Sequence, residues 1–491
     1  MSSRLLLGID EGTTAVKAAL FDERLRALAS ARRAVPLEHP APGRVEQDPE
    51  LVLAAVIAAV EEVLAAVPPG SEIVAAGLDH QGESVLAWDA ETLTPLTNVI
   101  VWQDKRCEVL LADVDPRAQE ISGLPLDPYF SAGKLAWLLA HDEAVRAAAQ
   151  VGTLRLGTVD SYVCARLGAG AATDLSTASR TLLLALGGRD WDEELLSIFG
   201  LRREWLPRLA PSFGDLGELR HERWPVALPL RARVVDQQAA LAGSGAVRPG
   251  QLKATYGTGV FVLGRTAGPA RVPGVSPTVA WAEPAGEGAI GEVAHALDGG
   301  VFAAGALLDW MARDLGLAAD AGALAAGAAQ AQDSGGVQVL PAIAGLGAPW
   351  WEPQARGVIA GLTGATRAPQ LARAALEAIA WRVAEIVEAM AAAGPVESVR
   401  IDGGLTNDAT LRVLQAGALG VPVLAGPADT TVLGSALLAG VGAGMFAGVE
   451  EAVALLPEPL PVDGARPDAE REREFDRWRT FARAAAGLSR G

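Results

Sequence analysis

The amino-acid sequence predicts an α/β protein built from two large domains, and three observations carry that reading. The chain has 491 residues, half of them apolar, which suffices for two cores at about 100–200 residues per domain. Apolar runs of strand character alternate with segments of helical periodicity, the pattern of an α/β fold. A Gly-Thr hairpin between two apolar strands opens the chain as RLLLGIDEGTTAVKAALFD and returns as QLKATYGTGVFVLGRT at 251–266, a weak internal repeat heading each half.

The elements follow in order. Residues 4–9 read as a buried strand and 13–22 as its partner, joined by Asp10-Glu11-Gly12. Residues 49–66 begin with proline and keep helical spacing, so they form a helix. EIVAAGLD and VLAWD are strands flanking the polar turn DHQGES, with Gly82 and Glu83 at its centre. VIVWQDKR at 99–106 is a strand ending in Trp102-Gln103-Asp104. In LPLDPYFSAGKLAWLLAH, at 124–141, Pro128 bends the chain beside Tyr129 before a helix whose Leu135, Trp137 and Leu138 face a core. Val234-Val235 end a strand and QQAALAG begins a helix, with Asp236 at the junction. Near residue 245 the pattern restarts. Residues 297–315 and 368–390 are expected as helices, 398–420 as strand, glycine turn and helix, and the Arg/Glu-rich tail 465–487 as a surface helix.

A net charge of −18 argues against nucleic acid as a partner, because phosphate backbones call for a basic face. Cys107 and Cys164 have neither metal-ligand spacing nor a disulfide pattern, so a reducing cytoplasm is the expected location. The start MSSRLLLGIDEGTT is too short in its apolar run for a signal peptide. The Ala-rich stretch 303–332 is broken by Asp309, Arg313, Asp314 and Asp320, so no membrane span or membrane partner is expected. Lysine occurs four times, as Lys17, Lys105, Lys134 and Lys253, against 37 arginines.

Three glycine turns can carry chemistry: GIDEGTT, TYGTGVF and IDGGLTND. Turns of Gly, Thr and Asp expose backbone N–H groups and hydroxyls that suit phosphate oxygens, and an acid such as Asp10 can hold Mg²⁺. Converging on one cleft, the three would suit a nucleotide. Asp236 fits two roles, a helix cap or a general base; spacing alone favours the cap.

Taken together, GIDEGTT, NVIVWQDKR, GLPLDPYFSAGKLAWLL, GTVDSYV, TDLSTASRTLL, WDEELLSIFG, DQQAALAG, TYGTGVF, LPAIAGLGAPWWEPQARGVIAGLTGATRAPQLARAALEAIA and IDGGLTN resemble the FGGY carbohydrate kinases, in the family's order from residue 8 to about 445. The resemblance implies two actin-like (ribonuclease H-like) domains, at 1–244 and 245–447, followed by an extension at 448–491. It also implies ATP and Mg²⁺ as cofactors, a small polyol or sugar as substrate in the interdomain cleft, and a homodimer or homotetramer. It reverses the weighting of Asp236, which aligns with the catalytic base. Asp10 and Asp236 align with the metal-associated acids. Thr13, Thr14 and Lys17 align with the first phosphate loop and Gly257, Thr258 and Gly259 with the second. Gly305, Asp309, Gly403, Gly404, Asn407 and Asp408 align near the adenosine. Glu83, Trp102, Tyr129, Asp236, Gln237 and Phe261 match the polyol pocket of the family's glycerol-specific members.

Several positions depart from those members. Lys17 replaces an arginine and Asp309 a glutamine. The turn GGLTND is shifted by one residue, so that Asn407 or Asp408 takes the adenosine role. RHERWPVALPL replaces a glycine-rich regulatory loop. One departure bears on the substrate. Gly82 stands where they carry an arginine beside the glutamate. A charge-assisted hydrogen bond contributes about 1.5–3 kcal/mol, so its loss weakens glycerol binding by about one to two decades. The space left by the arginine would also admit a four- or five-carbon polyol or ketose such as erythritol, threitol or xylulose. The expected activity is therefore ATP-dependent phosphorylation of a small polyol, glycerol first, with the larger substrates as the alternative and a non-catalytic polyol-binding regulator as a minor third.

Overall fold

A computed structural model describes residues 3–286 and 288–488. Strand Arg4–Glu11 buries Leu5, Leu6, Leu7 and Ile9, the continuous apolar run of a strand covered on both faces. It pairs antiparallel with Ala15–Phe21 and parallel with Glu72–His80, which in turn lies parallel to Leu228–Val235. The first sheet has six strands, in the order Glu218–Leu219, Leu228–Val235, Glu72–His80, Arg4–Glu11, Ala15–Phe21, Ala27–Ala34.

The second half repeats this plan. Its seven-stranded sheet runs Ser276–Ala285, Ala289–Val301, Val260–Thr266, Gln251–Tyr256, Ser398–Asp402, Val423–Ala425, Leu460–Pro461. In both sheets three neighbouring antiparallel strands are followed by two parallel strands, and in the second the chain first makes the outer strand Ser276–Ala285 before its third. The recurring Gly-Thr hairpin joins the first two strands of each set. A third, four-stranded sheet of Glu46–Gln47, Val99–Ile100, Val85–Asp89 and Leu154–Thr158 is built within the first half.

Two helices join the halves. Asp236–Gly243 continues from strand Leu228–Val235, and Thr430–Gly442 comes from the second half yet packs on the first sheet. The approach is close enough that only glycine fits. A Cβ on Gly8 would strike the Val432 carbonyl, one on Gly77 the Ser435 carbonyl, and one on Gly243 the Thr430 carbonyl. Leu6, Ala75, Val234, Leu241, Val432 and Leu437 share the resulting core.

The helices expected at 49–66 and 368–390 occur as Pro49–Leu64 and Ala368–Met390. Three expectations need correction. The first strand runs on through Asp10 and Glu11, so the hairpin tip is Gly12-Thr13-Thr14 rather than Asp10-Glu11-Gly12. The strand at 99–106 is only Val99–Ile100, since the Asp104 N–H closes a turn on the Val101 carbonyl and the Asp104 carboxylate accepts the Val45 N–H. Residues 297–315 are not one helix. Ala289–Val301 is a strand and the helix is Gly305–Arg313, because Asp298-Gly299-Gly300 extends the second sheet, with Asp298 pairing with Leu263. The tail helix, Asp468–Leu488, lies on the surface as expected and packs one apolar stripe, Phe475, Trp478, Ala482, Ala485 and Ala486, against the second core.

Candidate active site

Three parallel strands of the first sheet end side by side, and each end carries an acid. Asp10 lies opposite Asp79 in register, and Val235, the residue before Asp236, lies opposite His80. The C-terminal edge of parallel strands is where α/β folds place their ligands. Burial raises Asp10 to about 6, with Lys17 and a hydrogen bond from Asp79 opposing the rise. Asp79 is fully buried and is pushed well above the usual range by desolvation, then by the Asp10 and Asp236 charges. The Asp10 charge thus opposes ionisation of Asp79. Asp236 keeps an open edge, yet the walls around it exclude bulk water. That desolvation, then the charges of Asp10 and Glu83, push it up to about 7. Its Oδ1 accepts only the N–H of the next residue, Gln237, at 2.6 Å. It is the first residue of its helix and makes no cap bond, so the cap reading does not hold.

The turn 81–84 is a scaffold for both the first loop and the pocket wall. Gln81 Nε2 donates to Glu11 at 2.8 Å and to Gln47 at 2.9 Å, and Gln47 donates to the Thr13 carbonyl. Ser84 Oγ donates to Gln81 and accepts the Trp102 N–H. Trp102 Nε1 donates to Thr13 Oγ1 at 2.9 Å, tying the aromatic wall to the loop tip. The Trp102 ring meets Tyr129 edge-on at 5.6 Å and Phe261, from the second half, at 6.2 Å. Lys134 is buried and donates to the Tyr129 and Phe130 carbonyls. Lys253, also buried, donates to Gln237 Oε1 and Thr255 Oγ1. Lys17 pairs with Asp429 at the start of Thr430–Gly442. Three of the four lysines thus brace cleft elements.

The expected polyol wall of Glu83, Trp102, Tyr129, Asp236, Gln237 and Phe261 is brought into one region. Gly82 sits in it as well, but without an open gap at its Cβ position: a Cβ there would stand 2.9 Å from Val235 Cγ1. Thr14, Gly257 and Thr258 are exposed at the two loop tips, with Gly259 buried behind them. Gly305 N donates to the Gly257 carbonyl at 3.1 Å, so the helix Gly305–Arg313 starts directly under the second loop. Gly403 takes φ 95°, and a Cβ there would strike the backbone of Tyr256, at the end of the neighbouring strand. Gly404 and Asn407 bound a short 3-10 turn at the rim. Asp408 caps the helix Ala409–Ala418 by accepting from Leu411, and Asp309 pairs with Arg313 along its own helix. These last two are occupied by local structure.

Among the described residues no three or more His, Cys, Asp or Glu side chains are grouped to hold a metal. The orphaned Asp79 oxygens beside Asp10 fit an ion held by one or two carboxylates and completed by phosphate and water, which is the habit of Mg²⁺. Residue-level reading missed Asp79, Arg180, Lys253 and Asp298. Asp79 and Arg180 lie inside DHQGES and TDLSTASRTLL, motifs that were visible; Asp298 was concealed by the helical reading of its segment.

A doubled ribonuclease H-like fold with paired Gly-Thr loops over a carboxylate cluster defines a sugar-kinase class of phosphotransferase. Residues 5–243 match the N-terminal domain of the FGGY family of carbohydrate kinases, and residues 252–443 match its C-terminal domain. The chain belongs to that family. It is 41% identical to a glycerol kinase of Citrifermentans bemidjiense over 90% of each chain, and 40% identical to one of Thermus brockianus over 99% of each. Its structure superposes on Plasmodium falciparum glycerol kinase with ADP at a TM-score of 0.89 and 27% identity, covering 99% and 98% of the two chains. Lactobacillus acidophilus gluconate kinase shares the fold at a TM-score of 0.88 and 23% identity.

Proposed function

We propose that the protein transfers the γ-phosphoryl group of ATP to a terminal hydroxyl of glycerol. The observation that carries this reading is Asp236: a carboxyl raised to about 7, free of a cap bond, at the strand edge beside Asp10 and Asp79. Phosphoryl transfer asks for positioning and charge neutralisation rather than covalent help. Asp236 accepts the proton of the attacking hydroxyl; its pKa near neutrality matches that task. Gln237, held by Lys253, and the rings of Trp102, Tyr129 and Phe261 orient the carbon chain. The Gly12 and Gly257 N–H groups close their own turns. The phosphates are therefore received by the remaining N–H groups of the loops 12–14 and 257–259 and by the hydroxyls of Thr13, Thr14 and Thr258, and Gly305, Gly403, Gly404 and Asn407 frame the adenosine. Asp10, with Asp236 nearby, would hold Mg²⁺, which when bound neutralises phosphate charge. The two kinase units of this reading are 1–244 and 245–447, with 448–491 as an extension.

Glycerol stands first because relatives named glycerol kinase are 40–41% identical to this chain over 90% or more of each. An ADP-release assay with glycerol, erythritol, threitol, xylulose and ribulose tests this. Efficient turnover of glycerol at submillimolar concentration is expected. A clear preference for a four- or five-carbon substrate would replace it, and no phosphorylated product from any of them would leave a binding role instead.

A further inference from the structure

The pocket contains a guanidinium after all, from a different element. Arg180 follows the short helix Leu175–Ala178, which Asp174 caps, and whose Thr177 hydroxyl is bonded to His80 Nε2 at 2.9 Å. Arg180 is 3% exposed. Its Nε donates to Glu83 Oε1 at 2.8 Å, and Nη2 donates to Asp298 Oδ2 at 2.7 Å. Its guanidinium carbon lies 5.7 Å from the Tyr129 ring and 5.3 Å from Phe130. Two of the residues it touches, Glu83 and Tyr129, are the polyol wall described above.

Two atoms of this cluster are left over. Arg180 Nη1 is buried with no acceptor, and Asp298 Oδ1 is buried with no donor. An unpaired buried polar atom costs about 1–3 kcal/mol, more if charged, so a native pocket retains such atoms where a ligand or water completes them. One orphan donates and the other accepts. A hydroxyl does both at once, since its oxygen accepts while its hydrogen donates. A carboxylate or phosphate would meet Asp298 with like charge, and an alkyl group would leave both atoms unpaired.

We propose that Arg180 and Asp298 together read one non-reacting hydroxyl of the polyol, Arg180 Nη1 donating to it and Asp298 Oδ1 accepting from it. Arg180 thereby supplies a charged donor that Gly82, having no side chain, does not. Asp298 belongs to strand Ala289–Val301 of the second half and Arg180 to the first, so the hydroxyl is gripped from both sides of the cleft. The inference rests on the polyol-kinase reading and specifies how that site selects its substrate.

The test compares wild type, Arg180→Met, Arg180→Lys and Asp298→Asn with glycerol, propane-1,2-diol and propane-1,3-diol as acceptors at saturating ATP. Wild type should penalise both diols. Arg180→Met should raise KM for glycerol at least tenfold, leave KM for ATP within twofold, and shrink the penalty for one of the diols at least tenfold. Asp298→Asn should reduce the same penalty, and Arg180→Lys should retain part of it. Where Arg180→Met does not fold, Asp298→Asn and Arg180→Lys carry the same reading. If both penalties survive within twofold in every folded variant, the two atoms hold water or serve structure only, and the proposal is wrong. If wild type prefers a longer polyol, the glycerol assignment fails separately, and the same comparison is made with that polyol and its deoxy analogues.

Discussion

At the scale of single residues, the cleft is defined by acids held out of water. Asp236→Asn removes the proton acceptor while keeping the shape of the side chain. Its kcat should fall by at least about 10²–10⁴, the range for a general base, with ATP affinity unchanged by calorimetry; near-normal turnover would place the base elsewhere. Because the carboxyl must be ionised to act and its pKa is raised to about 7, kcat/KM for glycerol should rise with pH and level off above neutrality. Asp79 is a stability matter. Its pKa is raised from the model-compound value of 3.8, so above pH 4 the folded chain holds a proton that the unfolded chain has lost. Stability from this group is therefore complete below pH 4 and is lost as pH climbs. In metal-free buffer at pH 8, Asp79→Asn should melt roughly 2–4 °C higher per kcal/mol relieved, and the gain should vanish near pH 4. An equal gain at both pH values would show that the carboxyl is not the cause.

At the scale of elements, the loops work because a helix or strand end stands directly behind each. A Cβ on Gly305 would come within 2.6 Å of the Gly257 carbonyl, so Gly305→Val must lift the helix Gly305–Arg313 off the second loop. KM for ATP should rise about tenfold or more while KM for the polyol stays within twofold; the reverse split would detach this loop from the nucleotide. The helices Pro49–Leu64 and Ala368–Met390 were legible because proline starts and 3.6-residue apolar spacing are local signals. The segment 297–315 was misread because a glycine pair between apolar residues carries no period of its own. Its strand state is imposed by pairing with Val260–Thr266. Asp298, and with it half of the proposed hydroxyl grip, was hidden by the same ambiguity.

At the scale of the whole molecule, the halves are joined where Thr430–Gly442 lies on the first sheet with backbone touching backbone. Gly77→Val places two extra branches against the Ser435 carbonyl and cannot be relieved by a rotamer change, since the obstacle is backbone. Overpacking of this kind costs about 1–3 kcal/mol, occasionally more. The variant should melt well below wild type and lose activity with both substrates; an unchanged melting curve would mean that this contact does not hold the halves together.

The sequence by itself determined the family and the doubled Gly-Thr architecture, and through the resemblance it nominated Asp236 and most of the proposed polyol wall, because each lies in a contiguous motif. Only the tertiary structure decided what faces Glu83. The absence of arginine at position 82 was visible in the chain. The guanidinium that stands there instead comes from residue 180, and its partner from residue 298. Burial and hydrogen-bond completeness are properties of groups brought together by folding, and no spacing along the chain records them.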